Sequence, residues 1–247
     1  MAGALMGRGV RADVYSIDGR ACKVFHAGAR ISSVFREAYI GALAAEAGLP
    51  VPAVYGVADV EGCPAIQMES VPGKTLHGLL EQEPAWWEEA MGILARLQAE
   101  IHQAPVSLPF ALADWLRGRI EGGNVLEESQ KSRLFALLAG LPQGNALCHG
   151  DFHGGNVLTD GARHTVIDWA NATAGHPDAD ACRTYMIYLL HMPLLAEGYL
   201  KAYCAQTGRR GEEILHWLPV LAGARLSEGF EEEQETLMGL IKESLKP

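Results

Sequence analysis

Basic residues are the minority in this chain: 20 Lys and Arg stand against 30 Asp and Glu, for a net charge of −10. A surface of that sign repels phosphate backbones and anionic lipid, so no nucleic-acid and no membrane partner is expected. Cysteine is sparse as well. Cys22, Cys63, Cys148, Cys182 and Cys204 are odd in number and widely scattered, and no Cys-x-x-Cys pair occurs. That excludes a disulfide framework and a zinc ribbon, and it fits reduced thiols in a cytoplasmic setting. Long apolar runs are also missing. The greasiest stretch, residues 185–200, is broken by His191, Pro193, Glu197 and Gly198, and cannot supply the roughly 20 apolar residues of a membrane span. Residues 1–10 lack an apolar leader segment, so no signal peptide is expected. Neither repeats nor low-complexity segments occur. What the chain does have is apolar material: 49% of its 247 residues, enough for one large domain or two lobes sharing a cleft.

Turn chemistry and periodicity divide the chain unevenly. The β-prone runs 14–17 and 21–25 flank Asp18-Gly19, a strong hairpin signal, with Arg20 lengthening the loop slightly. Ser32 or Ser33 can cap a helix over 34–47, closed by Gly48 with Pro50 beyond. Residues 54–57 and 64–68 make a further strand pair around Glu61-Gly62. After Val71-Pro72-Gly73 the character changes. Trp87, Met91, Leu94, Leu97 and Ile101 fall near one helical face, and 114–120 and 127–138 read as helices too. Short apolar runs follow at 147–148, 157–159 and 165–167, and helical periods dominate from 178 onward. The pattern predicts an α+β fold of two lobes: a β-rich N-terminal lobe over 1–70, a connector at about 67–73, and a mainly helical lobe over 74–247.

The segment His149-Gly150-Asp151-Phe152-His153-Gly154-Gly155-Asn156 carries the most chemistry. It sets a carboxylate, then an amide after four intervening residues, ahead of a short strand. The turn at Asp160-Gly161 folds the strand 165–167 back beside it, so that Asp151, Asn156 and Asp168 are expected at one end of a hairpin. Phosphoryl transfer needs that set, one carboxylate to hold an acceptor hydroxyl and oxygen ligands for magnesium.

At these residues the chain resembles a known family. His149 to Asn156 resembles the catalytic loop of the aminoglycoside phosphotransferase and choline kinase-like enzymes, and Ile167-Asp168-Trp169 resembles their metal-binding motif. The resemblance implies a protein-kinase-like fold. It makes Asp151 the catalytic carboxylate, Asn156 and Asp168 the Mg2+ ligands, and Asp180 a brace for the catalytic loop, with His149 orienting that loop. In the N-terminal lobe it implies that Lys23 holds the nucleotide phosphates, with Glu37 rather than Glu46 as its ion-pair partner. Gly7 and Gly9 would cover the phosphates with backbone N–H groups, and the base of ATP or GTP would stack at the connector around Met68. The implied activity moves the γ-phosphoryl group to a hydroxyl of a small, aminoglycoside- or choline-like molecule. Only nine residues separate Asp168 from Asp178, too few for a peptide platform. Acids at Glu197, Glu212, Glu213, Glu228 and Glu231 to Glu233 favour a cationic acceptor. Two other readings stay open at this point. His149, Asp151 and His153 would serve a metal-dependent hydrolase if the segment were a strand. A kinase-like nucleotide-binding module without turnover would keep the same residues.

Overall fold

The computed structural model describes residues 3–244. Met1 and Ala2, where the stretch read for a leader begins, lie outside the described residues. Strands β1 (Ala4–Arg8), β2 (Ala12–Ile17) and β3 (Arg20–Phe25) precede helix α1 (Ile31–Glu46), and β4 (Val54–Val60) and β5 (Cys63–Met68) follow it. A short β6 (Lys74–Thr75) leads into α2 (Leu76–Gln82), α3 (Trp87–Gln103), α4 (Leu112–Gly122) and α5 (Glu128–Gly140). Four short strands come next: β7 (Ala146–Cys148), β8 (Val157–Thr159), β9 (His164–Val166) and β10 (Thr173–Gly175). The chain ends in α6 (Pro177–His191), α7 (Pro193–Thr207), α8 (Gly211–Leu215), α9 (Leu218–Leu226) and α10 (Gln234–Ser244). The fold is α+β, as the sequence predicts. It forms two compact units, Met1–Pro84 with Gly154–Ala172, and Ala85–His153 with Thr173–Pro247.

The first unit holds a five-stranded antiparallel sheet in the order β1-β2-β3-β5-β4 and a small sheet in the order β6-β8-β9. Asp18 and Gly19 have φ of 50° and 76°, and Ile17 pairs with Arg20. The hairpin therefore closes in two residues, and Arg20 belongs to β3 rather than to a lengthened loop. Consecutive positive φ values give a turn whose twist matches that of the strands. Glu61 and Gly62 repeat the solution at φ of 53° and 83°. Strand alternation puts Ala21, Lys23 and Phe25 on one face of β3 and Cys22 and Val24 on the other. The Phe25 face packs with Val34 and Ala38 of α1 and with Ile66, while Cys22 and Val24 pack with Ala65.

Helix α1 begins three residues before the expected start, with Arg30 as its N-cap and no side-chain cap bond. Ser32 and Ser33 lie inside it, because burial of Val34, Ala38, Ile40 and Ala44 decides where the helix runs, not capping. Its far end is the expected one. Gly48 at φ 80° donates to the Ala45 carbonyl, and Leu49 donates to that of Ala44, satisfying carbonyls the helix leaves open.

In the second unit α9 is apolar apart from Arg225, and Val220, Leu221, Ala222 and Ala224 are each fully buried. Such burial contributes about 1.5–3 kcal/mol for each large aliphatic side chain. The predicted stripe of α3 faces inward, with Met91, Leu94, Leu97 and Ile101 buried. Strand β7 pairs with β10, Cys148 opposite Thr173, and so fixes where the segment beginning at His149 leaves the sheet. Among the described residues no helix is long and apolar enough to cross a membrane.

Gly73 sits where the connector crosses β8. Its φ is 113°, and a Cβ there would run into the Thr159 carbonyl. Gly73→Ala should therefore destabilise the protein by roughly 2–4 kcal/mol in urea denaturation, combining backbone strain with overpacking. Gly48→Ala, also at positive φ but facing open space, should cost only about 1 kcal/mol.

Candidate active site

Lys23 lies on the face of β3 that α1 covers, and Glu37 falls within the buried stripe of α1. Each would be costly alone. Together they form an ion pair, Nζ to Oε1 at 2.6 Å, and Lys23 Nζ also stands 3.0 Å from Asp168 Oδ1. Burial alone would push the Lys23 ammonium down, but the two carboxylates outweigh it and hold its pKa above the usual lysine value. The rival acid Glu46 is the last residue of α1 and takes no part in this cluster.

Asn156 and Asp168 flank the β8–β9 hairpin at the same end. Val157 pairs with Val166, and the Ile167 N–H donates to the Asn156 carbonyl at 2.9 Å. Asp168 itself is in the left-handed region, φ 65°. Both sites open on a cleft of about 430 Å³, whose lining also includes Gly7, Gly9, Lys23, Glu37 and Met68. Its walls are apolar, with Val14 and Ala21 from the large sheet, Leu158 from the small one and Ile167 just past β9. Of the two glycines, Gly9 differs from expectation. Gly7 is part of β1 just past a register shift, and the Gly9 N–H is already donated to the Ala12 carbonyl at 3.0 Å. Gly9 instead serves close approach, since a Cβ there would come within 2.9 Å of that carbonyl. The amide oxygen of Asn156 and the carboxylate of Asp168 are hard donors that suit a small divalent cation.

Asp151, His149 and Asp180 belong to the second unit. Asp180 is buried, and its carboxylate accepts from the Gly150 N–H at 2.7 Å, the His149 N–H at 3.1 Å and Gln98 Nε2 at 2.9 Å, with His102 Nε2 at 3.0 Å. Burial alone would raise its pKa, but His102 together with Gln98 and Gly150 holds it down to about 2. His149, fully buried, accepts from the Asp151 N–H at 3.3 Å and meets Phe152 edge-on. Arg183 Nε donates to the Gly150 carbonyl. The backbone entering Asp151 is thus held on both its N–H and carbonyl sides, while the Asp151 side chain stays 31% exposed.

The hydrolase arrangement is not assembled. His149 is turned to the backbone, and His153 Nε2 stands 4.0 Å from Asp151 Oδ2. Among the described residues the group with three ligand atoms within 4.8 Å of one another is His102, Cys148 and Asp180. Its carboxylate is already engaged by the four donors named above.

The family model for the phosphotransferase enzyme family (APH) matches residues 6–215. The chain belongs to the phosphotransferase enzyme family. A comparison with curated proteins returned no match. Solved structures share the fold at low identity. A thermostable mutant of aminoglycoside phosphotransferase APH(4)-Ia, in ternary complex with AMP-PNP and hygromycin B, aligns with TM-score 0.75 and 18% identity over 100% of this chain and 95% of that one. Choline kinase LicA from Streptococcus pneumoniae aligns with TM-score 0.68 and 16% identity, over 99% and 92%. An aminoglycoside-3'-phosphotransferase of type VIII aligns with TM-score 0.63 and 22% identity over 92% of each chain.

In this phosphotransferase, four residues that touch the site's backbone or its braces escaped the sequence reading: Arg36, Gln98, His102 and Arg183. Gln98 and His102 leave a trace, being polar and one helical turn apart beside the apolar stripe of α3. The acids expected to favour a cationic acceptor are largely engaged with internal partners. Glu228 pairs with Arg183 and Arg225, Glu233 with Arg225, and Glu197 accepts from the Tyr185 hydroxyl. Glu212 and Glu213 lie beside Arg210. Charge paired in this way exerts little field at a distance, so Glu228 and Glu233 add little to the attraction of a cation.

Asp180 makes stability depend on pH in a definite direction. Its folded pKa is about 2, below that of an unfolded aspartate, so its contribution is intact above about pH 4 and is lost as pH falls through about 2. Unfolding free energies from urea titrations between pH 5 and pH 2 should fall further for the wild type than for Asp180→Asn, by about 2–3 kcal/mol. Parallel curves would show that the Asp180 carboxylate is not the titrating brace.

Proposed function

We propose that this phosphotransferase is a small-molecule kinase, moving the γ-phosphoryl group of ATP to a hydroxyl of a small acceptor of the aminoglycoside or choline type. One observation carries the reading: a lysine ammonium bonded to two carboxylates, Glu37 and Asp168, inside an apolar-walled cleft that also holds Asn156. Lys23 anchors the donor phosphates, and Glu37 fixes the ammonium where those oxygens lie. The apolar walls and Met68 take the base. Asn156 and Asp168 hold Mg2+, which when bound supplies charge neutralisation at the phosphate oxygens.

Asp151 accepts the hydrogen bond of the acceptor hydroxyl and takes its proton as the phosphoryl group is transferred. Asp180, His149 and Arg183 orient the loop that carries it, so its geometry is set before the acceptor arrives. The acceptor is small, because the chain after Asp168 passes at once into buried Trp169 and Ala172, then β10 and α6. ATP is the donor we propose because a structural neighbour carries AMP-PNP beside an aminoglycoside. Five free thiols fit a cytoplasmic reaction.

The test is ADP release across a panel of cationic, neutral and anionic alcohols. At least one acceptor should stimulate it, and Asp151→Asn should cut that turnover roughly a hundredfold to ten-thousandfold with ATP affinity nearly intact. Turnover within a few-fold of wild type would remove Asp151 from the mechanism. Asp168→Ala should abolish the Mg2+ dependence of ATP binding seen by calorimetry, and a dependence that survives would contradict its assignment as ligand.

A further inference from the structure

Three non-glycine residues among those described have positive φ. Asp18 and Glu61 are in two-residue hairpin turns, where the turn type requires it. Asp168 has no such turn around it. It follows β9 after one residue, Ile167, and precedes the buried Trp169. A left-handed conformation in a residue with a side chain is unfavourable and persists only where the surroundings impose it. On the upstream side, the Ile167 N–H bonded to Asn156 holds the chain. On the downstream side the Ala172 N–H closes a turn onto the Trp169 carbonyl at 3.2 Å, and Arg36 clamps that turn. Its Nη1 donates to the Ala170 carbonyl at 3.0 Å and its Nη2 to the Ala172 carbonyl at 2.5 Å, residues 134 and 136 positions away in sequence. A guanidinium is planar and presents parallel donors, so it can fix two carbonyls of one segment at once, which an ammonium cannot.

Arg36 is also the neighbour of Glu37. One turn of α1 therefore holds Lys23 through one residue and the chain beyond Asp168 through the next. We propose that Arg36 is a positioning residue for Asp168: its grip on Ala170 and Ala172 keeps the Asp168 backbone left-handed and so keeps its carboxylate on Lys23 and in the cleft. Without that grip the two carbonyls turn to find other donors, φ at Asp168 relaxes, and the carboxylate swings away. The proposal rests on the reading of Asp168 as a Mg2+ ligand, and it adds a residue outside the catalytic loop and the metal motif.

Calorimetry of ATP binding with and without Mg2+, on the full chain, tests it. Arg36→Met keeps the aliphatic stem and removes the fork. It should leave Mg2+-free affinity within about twofold, and should shrink the gain in affinity on adding Mg2+ by about tenfold or more, as loss of a supporting group does at metal sites. Arg36→Lys, able to hold one carbonyl, should fall between. An undiminished Mg2+ gain in folded Arg36→Met overturns the proposal, as does an equal loss with and without Mg2+, which marks general disruption. Should Arg36→Met fail to fold, a wild-type Mg2+ gain in Arg36→Lys overturns it equally. Failure of the underlying reading looks different: the wild type shows no Mg2+ gain, or the gain survives in Asp168→Ala, whatever Arg36 does.

Discussion

A lysine ammonium only 14% exposed, touching two carboxylates that come from distant parts of the chain, is the constraint from which most of the first unit follows. Ions removed from water lose hydration that a single partner rarely restores, so a buried pair is seldom placed for stability alone. Here the arrangement dictates geometry. Strand alternation must bring Lys23 to the face under α1, the helix must present Glu37 from its buried stripe, and the β8–β9 hairpin must deliver Asp168 at the same point. Removing Lys23 leaves the nearly buried Glu37 carboxylate without its ion-pair partner, and removing either carboxylate leaves the ammonium with one partner where it had two. The apolar walls of the cleft strengthen each of these interactions by excluding water.

The second unit applies the same principle with the opposite sign. Asp180 is a buried anion satisfied by donors from α3 and from the backbone of the segment it braces. A carboxylate with that many donors has one geometry open to it, and it imposes that geometry on His149 and Gly150, next to Asp151. Arg183 completes the hold through the Gly150 carbonyl and is itself paired with Glu228. Charges that look like surface decoration in the sequence are thus committed to shaping one short loop.

The legible part of the site was the part written in local order. Lys23, Glu37, Asn156, Asp168 and Asp180 stand in a fixed succession of strand, helix, loop and turn; the structure brings the charges of Lys23, Glu37 and Asp168 together and sets Asp180 on the backbone ahead of Asp151. The fold class was legible for the same reason, since Asp-Gly and Glu-Gly turns and the α3 stripe are short-range signals. What could not be read were groups whose partners are remote. Arg36 reaches carbonyls more than 130 residues away, and Gln98 reaches Asp180 across 82. A carbonyl acceptor leaves no mark in a sequence, because every residue has one. The misplaced expectations share a cause as well. Gly9 looked like a phosphate donor, and Glu228 and Glu233 looked like part of an electrostatic field, yet each of the three is bonded to a neighbour that only tertiary structure reveals.

The central claim is that Glu37 acts on the donor nucleotide only by holding Lys23. A double-mutant cycle on Mg2+–ATP affinity, using Lys23→Ala, Glu37→Ala and the double variant, measures this directly. If the claim is right, the double variant loses little more than Lys23→Ala alone, giving a coupling of at least about 1 kcal/mol. If the two single losses add, Glu37 acts independently of Lys23 and the account of the cleft fails.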